Sequence, residues 1–368
     1  MSPEVIPVNS LRRHTQSIEG QLVDAANEII RSGHFVLGPK VDAFEREYAK
    51  YCGAGHCLTV ANGTDALELG LRALGVGEGD SVGVTANAAM YGTTAVLACN
   101  ADPVFIDVLL DEATMDPESL RAALAARKLK AVVVTHLYGR LARVSEIVDL
   151  CRKEGVAVVE DCAQAHGART QDGRSAGAFG DIGTFSFYPT KNLGALGDGG
   201  AVVCSDPALA ERVRRLRQYG WSDKYTNSLL GGRNSRLDEI QASMLLCTLP
   251  LLDGWNDKRR SIANRYSSEI RNDRIILNPV AGIEYVGHLY VARSPARSAL
   301  CAHLRGLGIQ SDIHYPTPDH KQPCFEGRLS KQELPITEEL CDTVITLPCF
   351  PELTDEEIQR VIDACNQF

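Results

Sequence analysis

Residues 130–161 read "KAVVVTHLYGRLARVSEIVDLCRKEGVAVVED", and this stretch decides the fold class. Two short runs rich in valine, "KAVVVTH" and "VAVVED", enclose the amphipathic segment "SEIVDLCRKEG", which has the pattern of a helix. A strand, a helix and a second strand in this order form a βαβ unit whose strands lie parallel in one sheet. The stretch therefore predicts an α/β protein.

The same alternation extends outward from this unit, from about residue 16 to residue 250. The runs "HCLTV", "SVGVTA" and "DPVFIDV" predict further strands, and segments such as "ALELGLRALG" predict the helices between them. After "LPLLDGWNDKRR" the pattern changes to a long polar helix, the run "GHLYVAR" and two further helices. We therefore expect a large domain over residues 1–250, with an N-terminal arm and a mostly parallel sheet, and a smaller α+β domain over residues 251–368.

Composition and charge narrow the class of function. The 368 residues are 44% hydrophobic and 23% charged, and the net charge of −9 is spread along the chain. Its basic clusters, "ERVRRLRQYG" and "DKRR", are typical of solvated helix faces, so we expect no nucleic-acid partner. The first residues lack the apolar core of a signal peptide, and no later run approaches the roughly 20 apolar residues of a membrane span. These features predict a cytoplasmic protein without a membrane partner.

The twelve cysteines are scattered singly, without a C-x-x-C pair or clustered histidines. This distribution indicates buried, reduced thiols better than a zinc site or a disulfide framework, so no metal is expected.

One lysine stands in unusual surroundings. Residues 180–200 read "GDIGTFSFYPTKNLGALGDGG", so Lys191 follows an aromatic, strand-like run and precedes a glycine-rich turn. A lysine among apolar side chains has a lowered pKa, and its neutral amine is a nucleophile toward carbonyl groups. Such an amine can form a Schiff base.

Two other features of the sequence, an acid after a strand and a turn that can bind phosphate, accompany this lysine. Asp161 ends the predicted strand "VAVVED", where an acid can meet a buried cation, although a turn or helix cap would explain it equally well. In "ANGTDALELG" the backbone amides of Gly63 and Thr64 and the Thr64 hydroxyl can bind a phosphate, although an ordinary Asn-Gly turn before a capped helix explains the same letters. Pyridoxal phosphate (PLP) needs a lysine, an acid for its pyridine nitrogen and a phosphate site. The usual motifs for nucleotide hydrolysis and nicotinamide binding are missing from the sequence.

The stretches "VEDCAQAHGA", "GDIGTFSFYPTKNLGALGDGGAVV" and "GGRNSRLDEIQASML" together resemble the sugar aminotransferases of the DegT/DnrJ/EryC1/StrS family. The resemblance covers nearly the whole chain, from "SGHFVLGPKVDAFE" through "HLYGR" to "GLGIQSDIHYPTPDHKQPCF". It implies a fold-type I PLP-dependent transferase, similar in fold to aspartate aminotransferase.

The resemblance also assigns roles to residues. It implies that Lys191 forms the Schiff base with the cofactor and later moves the substrate proton, and that Asp161 keeps the pyridine nitrogen protonated. Gln164 would lie against the cofactor ring and its 3-hydroxyl. Asn234 corresponds to a residue that family members send across the dimer interface, which implies a homodimer with shared active sites. The implied phosphate contacts are Gly63, Thr64 and Ser186.

The loop after the predicted strand "SVGVTA" departs from the family. Members usually place an aromatic residue or histidine over the cofactor ring there, but this chain reads "ANAAMYGTT", with Ala89 at the stacking position. Either Met90 or Tyr91 covers that face of the ring, or the ring is less covered than usual.

By this resemblance the chain moves an amino group from L-glutamate to a keto group of a nucleotide-linked deoxysugar, on a dTDP carrier and at C3, for a surface polysaccharide or a glycosylated natural product. The alternatives are amination at C4, a related sugar dehydratase, in which a histidine replaces the lysine, and a PLP-binding regulator without turnover. His314, Tyr315 and His320, in "GIQSDIHYPTPDHKQPCF", are candidate sugar contacts, and a proline-rich structural turn is the alternative for that loop.

Overall fold

A computed structural model of the chain describes residues 5–278, 280, 282–325 and 332–368. The described strands are, in chain order, β1 (His56–Val60), β2 (Ser81–Thr85), β3 (Asp102–Ile106), β4 (Ala131–Thr135), β5 (Ala157–Asp161), β6 (Ile182–Ser186), β7 (Gly200–Cys204), β8 (Trp221–Asp223), β9 (Thr226–Asn227), β10 (Ile276–Leu277), β11 (Tyr290–Arg293) and β12 (Val344–Leu347). The described α-helices are α1 (Leu11–Ser17), α2 (Glu19–Ser32), α3 (Pro39–Cys52), α4 (Gly63–Ala73), α5 (Tyr91–Ala98), α6 (Pro117–Ala126), α7 (Val144–Lys153), α8 (Pro207–Leu216), α9 (Glu239–Thr248), α10 (Leu252–Glu269), α11 (Arg297–Gly306), α12 (Pro335–Thr343) and α13 (Asp355–Gln367). Within these ranges, no helix combines the length and the apolar character that crossing a bilayer requires.

The main sheet of the described residues has seven strands in the order β1-β7-β6-β5-β4-β2-β3. Strand β7 runs antiparallel to its neighbours β1 and β6, and the remaining neighbours pair in parallel. The stretch at 130–161 forms β4, α7 and β5, and Val132 of β4 lies opposite Val158 of β5. The predicted α/β fold with a mostly parallel sheet is confirmed.

Burial on both faces explains why β4 is an uninterrupted apolar run. Val132 and Val134 pack into the hydrophobic cluster on one face of the sheet, and Val133 packs into the cluster on the other face. Successive side chains of a strand point to opposite faces, so a strand covered by helices on both sides needs apolar residues throughout.

A second, smaller sheet of strands β10, β11 and β12 is antiparallel and forms the C-terminal α+β body. Its core includes Tyr266 and also Ile6, whose N–H donates to the Gly308 carbonyl over 2.9 Å. Helix α10 bridges the two cores, because Leu252 at its start packs against the main sheet and Tyr266 packs in the second core. The boundary at residue 250 stays a prediction.

The topology brings several chain segments to one edge of the main sheet. Thr135, Asp161 and Ser186 are the last residues of the neighbouring parallel strands β4, β5 and β6, so they lie at the same edge. Gly63 begins α4 shortly after β1 ends, and Gly200 begins β7 opposite Ser186. In open α/β sheets this carboxyl edge is where ligands bind.

Candidate active site

A cavity of about 820 Å³ lies beyond this edge of the sheet. It is bounded by residues of the main sheet's loops and by residues of the C-terminal body, such as His288 and Thr346. The predicted site residues that line it are Gly63, Thr64, Asp161, Gln164, Ser186, Lys191, His314 and Tyr315. Segments far apart in the sequence therefore meet in one cavity.

Lys191 sits in a tight turn after β6, where its N–H donates to the Tyr188 carbonyl over 2.8 Å. Burial of the amine lowers its pKa from 10.5 to about 8, and the charge of Asp161 opposes that shift. The lowered pKa expected from the apolar sequence around Lys191 is confirmed. At this pKa an appreciable fraction of the amine is neutral and nucleophilic near neutral pH.

Asp161 is only 5% exposed at the end of β5. One carboxylate oxygen accepts the Ala163 N–H at 3.1 Å, and the other lies 3.5 Å from the Thr135 hydroxyl. The bond to Ala163 is the one that the alternative interpretation, a turn cap, expected. Burial raises the pKa of Asp161, while the Ala163 N–H and the charge of Lys191 lower it. A buried carboxylate of this kind is stabilised by a cation placed in the cavity.

The phosphate site expected from the sequence falls on the first turn of α4. Asn62 caps the helix by accepting the Asp65 N–H at 2.8 Å, so the cap of the alternative interpretation is also present. The N–H groups of Gly63 and Thr64 belong to the first turn, where no earlier carbonyl is available to accept them. A Cβ at Gly63 would lie 2.6 Å from the Cβ of Ser186, so the close approach of these two segments requires glycine.

Gln164 is almost fully buried, and both ends of its amide are engaged. Its Oε1 accepts the Tyr138 N–H at 2.6 Å, and its Nε2 donates to the Tyr315 hydroxyl over 3.1 Å. The side chain that the sequence predicted to lie against the cofactor is therefore held in one orientation.

His314 and Tyr315 reach the cavity from the C-terminal body. Nδ1 of His314 lies 2.8 Å from the Thr346 hydroxyl, and burial lowers the pKa of this imidazole although the nearby Asp312 opposes the shift. Burial also raises the pKa of the Tyr315 hydroxyl. Both side chains are therefore neutral hydrogen-bonding groups near neutral pH.

Two predicted residues are not brought to this cavity. Asn234 is exposed, forms an isolated bridge with Gln218 and is not among the residues that line the cavity. His320 is fully buried, and its Nε2 lies 3.1 Å from the Glu338 carboxylate. Its neighbour Asp319 explains why this loop is packed, because it accepts the Met90 N–H at 2.9 Å. The position of His320 fits the alternative interpretation of this loop as a proline-rich structural turn.

The loop "ANAAMYGTT" has Ala89 where family members usually have an aromatic residue or histidine, but it also contains Tyr91. Ala89 and Met90 both have positive φ, 54° and 67°, which turns the chain sharply before α5. Met90 packs against the core of the main sheet, while Ala88 and Tyr91 line the cavity. Of Met90 and Tyr91, only Tyr91 lines the cavity, and it is half exposed, so whether it covers the ring or leaves it less covered than usual stays a prediction.

Sequence reasoning missed the buried residues that hold the site in place. Glu160, next to Asp161, accepts three backbone N–H groups, from Gly177 at 2.9 Å, Phe179 at 2.6 Å and Gly180 at 2.7 Å. Nε2 of His136 lies 3.0 Å from the same carboxylate, and its Nδ1 faces the Ala142 N–H, so the proton is on Nε2. Glu160, directly before Asp161 in "VVED", was a signal in the sequence for such a supporting network, since a charge within a buried strand needs hydrogen-bond partners.

A second buried network lies behind Lys191. Asn192 donates to the Asn256 amide oxygen over 2.7 Å and faces Nδ1 of His288 at 3.0 Å. Asn256 in turn donates to the His166 carbonyl, and Nε2 of His166 lies 2.8 Å from the Ser186 carbonyl. The lysine turn and the phosphate-side strand β6 are thus fixed by one set of hydrogen bonds.

A mostly parallel sheet with a partly buried lysine and a buried aspartate in one cavity is the arrangement expected of a PLP-dependent enzyme of fold-type I. The profile of the DegT/DnrJ/EryC1/StrS aminotransferase family matches residues 16–366, and the chain belongs to that family.

Two curated relatives and one solved structure are similar over nearly their full lengths. The chain is 41% identical to the dTDP-3-amino-3,4,6-trideoxy-alpha-D-glucose transaminase of Micromonospora megalomicea subsp. nigra, with 94% of each chain covered. It is 42% identical to the dTDP-3-amino-3,6-dideoxy-alpha-D-galactopyranose transaminase of Aneurinibacillus thermoaerophilus, with 99% of each covered. The crystal structure of Streptomyces venezuelae DesV in complex with a ketimine intermediate matches it with a TM-score of 0.95 at 38% identity, covering 99% of this chain and 98% of that one.

The protein is therefore a PLP-dependent aminotransferase. The residues present fit the cofactor, since the cavity offers an amine whose pKa is lowered to about 8, a buried carboxylate, and a helix N-terminus at which Gly63 leaves no room for a Cβ. When bound, PLP withdraws electrons from the reacting carbon of the substrate. Lys191 Nζ can exchange a proton near neutral pH because its pKa is about 8.

Proposed function

We propose that this enzyme transfers an amino group from L-glutamate to the C3 keto group of a dTDP-linked 3-keto-6-deoxyhexose. The observation that carries the proposal is the cavity in which Lys191 and Asp161 meet the phosphate site and the His314–Tyr315 segment. The names of both curated relatives, each a transaminase of a dTDP-linked 3-amino sugar, support the substrate class.

Each predicted site residue that lines the cavity receives a role in this proposal. Lys191 would hold the cofactor and carry the proton at Nζ, and the Asp161 carboxylate would favour the protonated form of the pyridine nitrogen. Gln164 lies against the ring, and the neutral groups of His314 and Tyr315 bind sugar oxygens. The phosphate is bound by Gly63, Thr64 and Ser186.

The site is completed by a second subunit in our proposal. Asn234 is exposed outside the cavity of its own chain, so it is free to reach the phosphate site of a partner across a two-fold axis. Two symmetry-related sites would then be shared in each homodimer, and the protein would act in the cytoplasm, where nucleotide sugars are made.

The test is a screen of purified nucleotide-linked keto-sugars with L-glutamate. The two measured quantities are the loss of the cofactor's visible absorbance and the formation of 2-oxoglutarate. We expect turnover with dTDP-linked 3-keto-6-deoxyhexoses. Loss of absorbance with glutamate without product from any sugar would contradict the substrate class, and no spectral response to glutamate would favour a regulator without turnover.

A further inference from the structure

Tyr138 is a buried residue beside the cavity that the proposed mechanism does not use. It lies in the short turn Leu137–Gly139 after β4, with a φ of 61°, in the left-handed region that a bulky side chain rarely adopts. Such conformations persist where the surrounding structure holds them, and they cluster near functional sites.

Three hydrogen bonds link Tyr138, Gln164 and the His314–Tyr315 segment into a closed ring. Its N–H donates to Oε1 of Gln164 over 2.6 Å, and Nε2 of Gln164 donates to the Tyr315 hydroxyl oxygen over 3.1 Å. The Tyr138 hydroxyl donates to the carbonyl of His314, the residue before Tyr315. The turn after β4, the loop after β5 and the His314–Tyr315 segment are therefore tied together by one residue.

The ring fixes which atom of each group donates. The Tyr138 N–H can only donate, so the Gln164 oxygen faces it and the Gln164 amino group faces Tyr315. The Tyr315 oxygen is then an acceptor in the ring, and its own proton remains to be donated. Among the described residues no acceptor bonds that proton, and Tyr315 lines the cavity. Its hydroxyl is thus set to donate to a ligand.

The surroundings indicate which ligand receives this bond. Asp312 lines the cavity beside this segment, with its carboxylate 3.8 Å from Nε2 of His314. A carboxylate here repels the carboxylates of glutamate and the diphosphate of the nucleotide alike, whereas neutral donors suit keto and hydroxyl oxygens, so the hexose ring is the part of a substrate that fits beside this segment.

We propose that Tyr138 is a positioning residue for the nucleotide-sugar substrate: it holds the His314–Tyr315 segment so that the Tyr315 hydroxyl donates to a sugar oxygen. This inference rests on the proposed function, since it needs a sugar as the second substrate.

The test compares two amino donors in a single half-reaction, because each converts the bound cofactor to its amine form with the same loss of visible absorbance. The donors are L-glutamate and dTDP-3-amino-3,6-dideoxy-α-D-galactopyranose, the sugar named for one relative. We expect Tyr138→Phe, which removes only the hydroxyl, to lower kcat/KM for the sugar about tenfold while that for glutamate changes less than about twofold. The dissociation constant of the same sugar, measured by calorimetry, should rise by a similar factor.

Two further variants sharpen the test. Tyr315→Phe removes the proposed donor itself and should show the same selective loss, which keeps the proposal testable if Tyr138→Phe folds poorly. Tyr266→Phe is the matched control, because it removes a hydroxyl that donates to the Pro348 carbonyl over 2.8 Å within the C-terminal core. Tyr266→Phe should leave the ratio of kcat/KM for the sugar to kcat/KM for glutamate unchanged.

Equal losses for both donors in Tyr138→Phe, with wild-type enzyme active on the sugar, would overturn the role of Tyr138 and leave the proposed function standing. Wild-type enzyme that responds to glutamate but to no amino sugar would overturn both.

Discussion

Replacing Asp161 with asparagine removes the charge that faces Lys191 while keeping the volume of the side chain. Two causes set the pKa of Lys191 at about 8: burial lowers it and Asp161 raises it. The Asp161→Asn variant loses the raising cause, so the pKa of Lys191 should fall further. The amine should become more reactive at neutral pH, although the enzyme becomes a poorer catalyst.

The size of the effect follows from the titration. With a pKa of about 8, roughly one amine in ten is neutral at about pH 7, against roughly one in three thousand at the ordinary pKa of 10.5. Removing the Asp161 charge can therefore raise the neutral fraction by at most about tenfold. Transamination should instead fall at least about 10²-fold, because the pyridine nitrogen loses the acid that keeps it protonated.

The assay is reductive methylation of the cofactor-free protein with formaldehyde, with the modification of Lys191 followed by peptide mass spectrometry across a pH series. The midpoint should lie near pH 8 for the wild type and lower for Asp161→Asn. Asp198→Asn is the control, because Asp198 also lines the cavity but does not contribute to the Lys191 shift. A midpoint for Asp161→Asn equal to or above that of the wild type would refute the electrostatic argument.

Three further predictions concern the cofactor and the dimer. Lys191→Arg should abolish turnover, because an arginine stays charged and cannot bond an aldehyde, and measurable glutamate-dependent product would contradict its role. Gly63→Ala should weaken PLP binding at least about tenfold in a fluorescence titration, because its Cβ would meet Ser186 at 2.6 Å. Gly77→Ala, whose Cβ meets nothing within 4 Å, is the control, and equal affinities would contradict the steric argument. Co-expressed Lys191→Ala and Asn234→Glu chains should recover about one-quarter of wild-type activity under random pairing, since half of the dimers are mixed and each carries one intact site; verified heterodimers without activity would show that Asn234 acts within its own chain.

Patterns in single segments predicted the parts of the fold that depend on local chemistry. The uninterrupted run at β4 was readable because burial on both faces demands apolar residues at every position. Lys191 and Asp161 were readable because a charged group beside an apolar strand needs a reason. The antiparallel direction of β7 was not predicted, although the connection between β6 and β7 carries no helical pattern of the kind that a crossover to a parallel strand needs.

Contacts between distant segments could not be read in this way. His320 was expected at the sugar because it stands near His314 in the sequence, but the chain turns between them and buries His320 against Glu338. The hydrogen-bonded ring of Tyr138 joins three segments whose separation in the sequence hides their contact. The sequence did not show which of Met90 and Tyr91 faces the cavity, because the positive φ values of Ala89 and Met90 set the direction of the chain at this turn.

The most direct test of the proposed function follows the amino nitrogen itself. Purified enzyme with PLP is given L-glutamate carrying an isotope-labelled amino nitrogen and a dTDP-linked 3-keto-6-deoxyhexose, and the product is examined by NMR. The account predicts labelled nitrogen on C3 of the hexose and one 2-oxoglutarate for each amino sugar formed. The corresponding dTDP-linked 4-keto-6-deoxyhexose is assayed in parallel. Labelled nitrogen on C4 of that hexose, with no labelled product from the 3-keto hexose, would contradict the account.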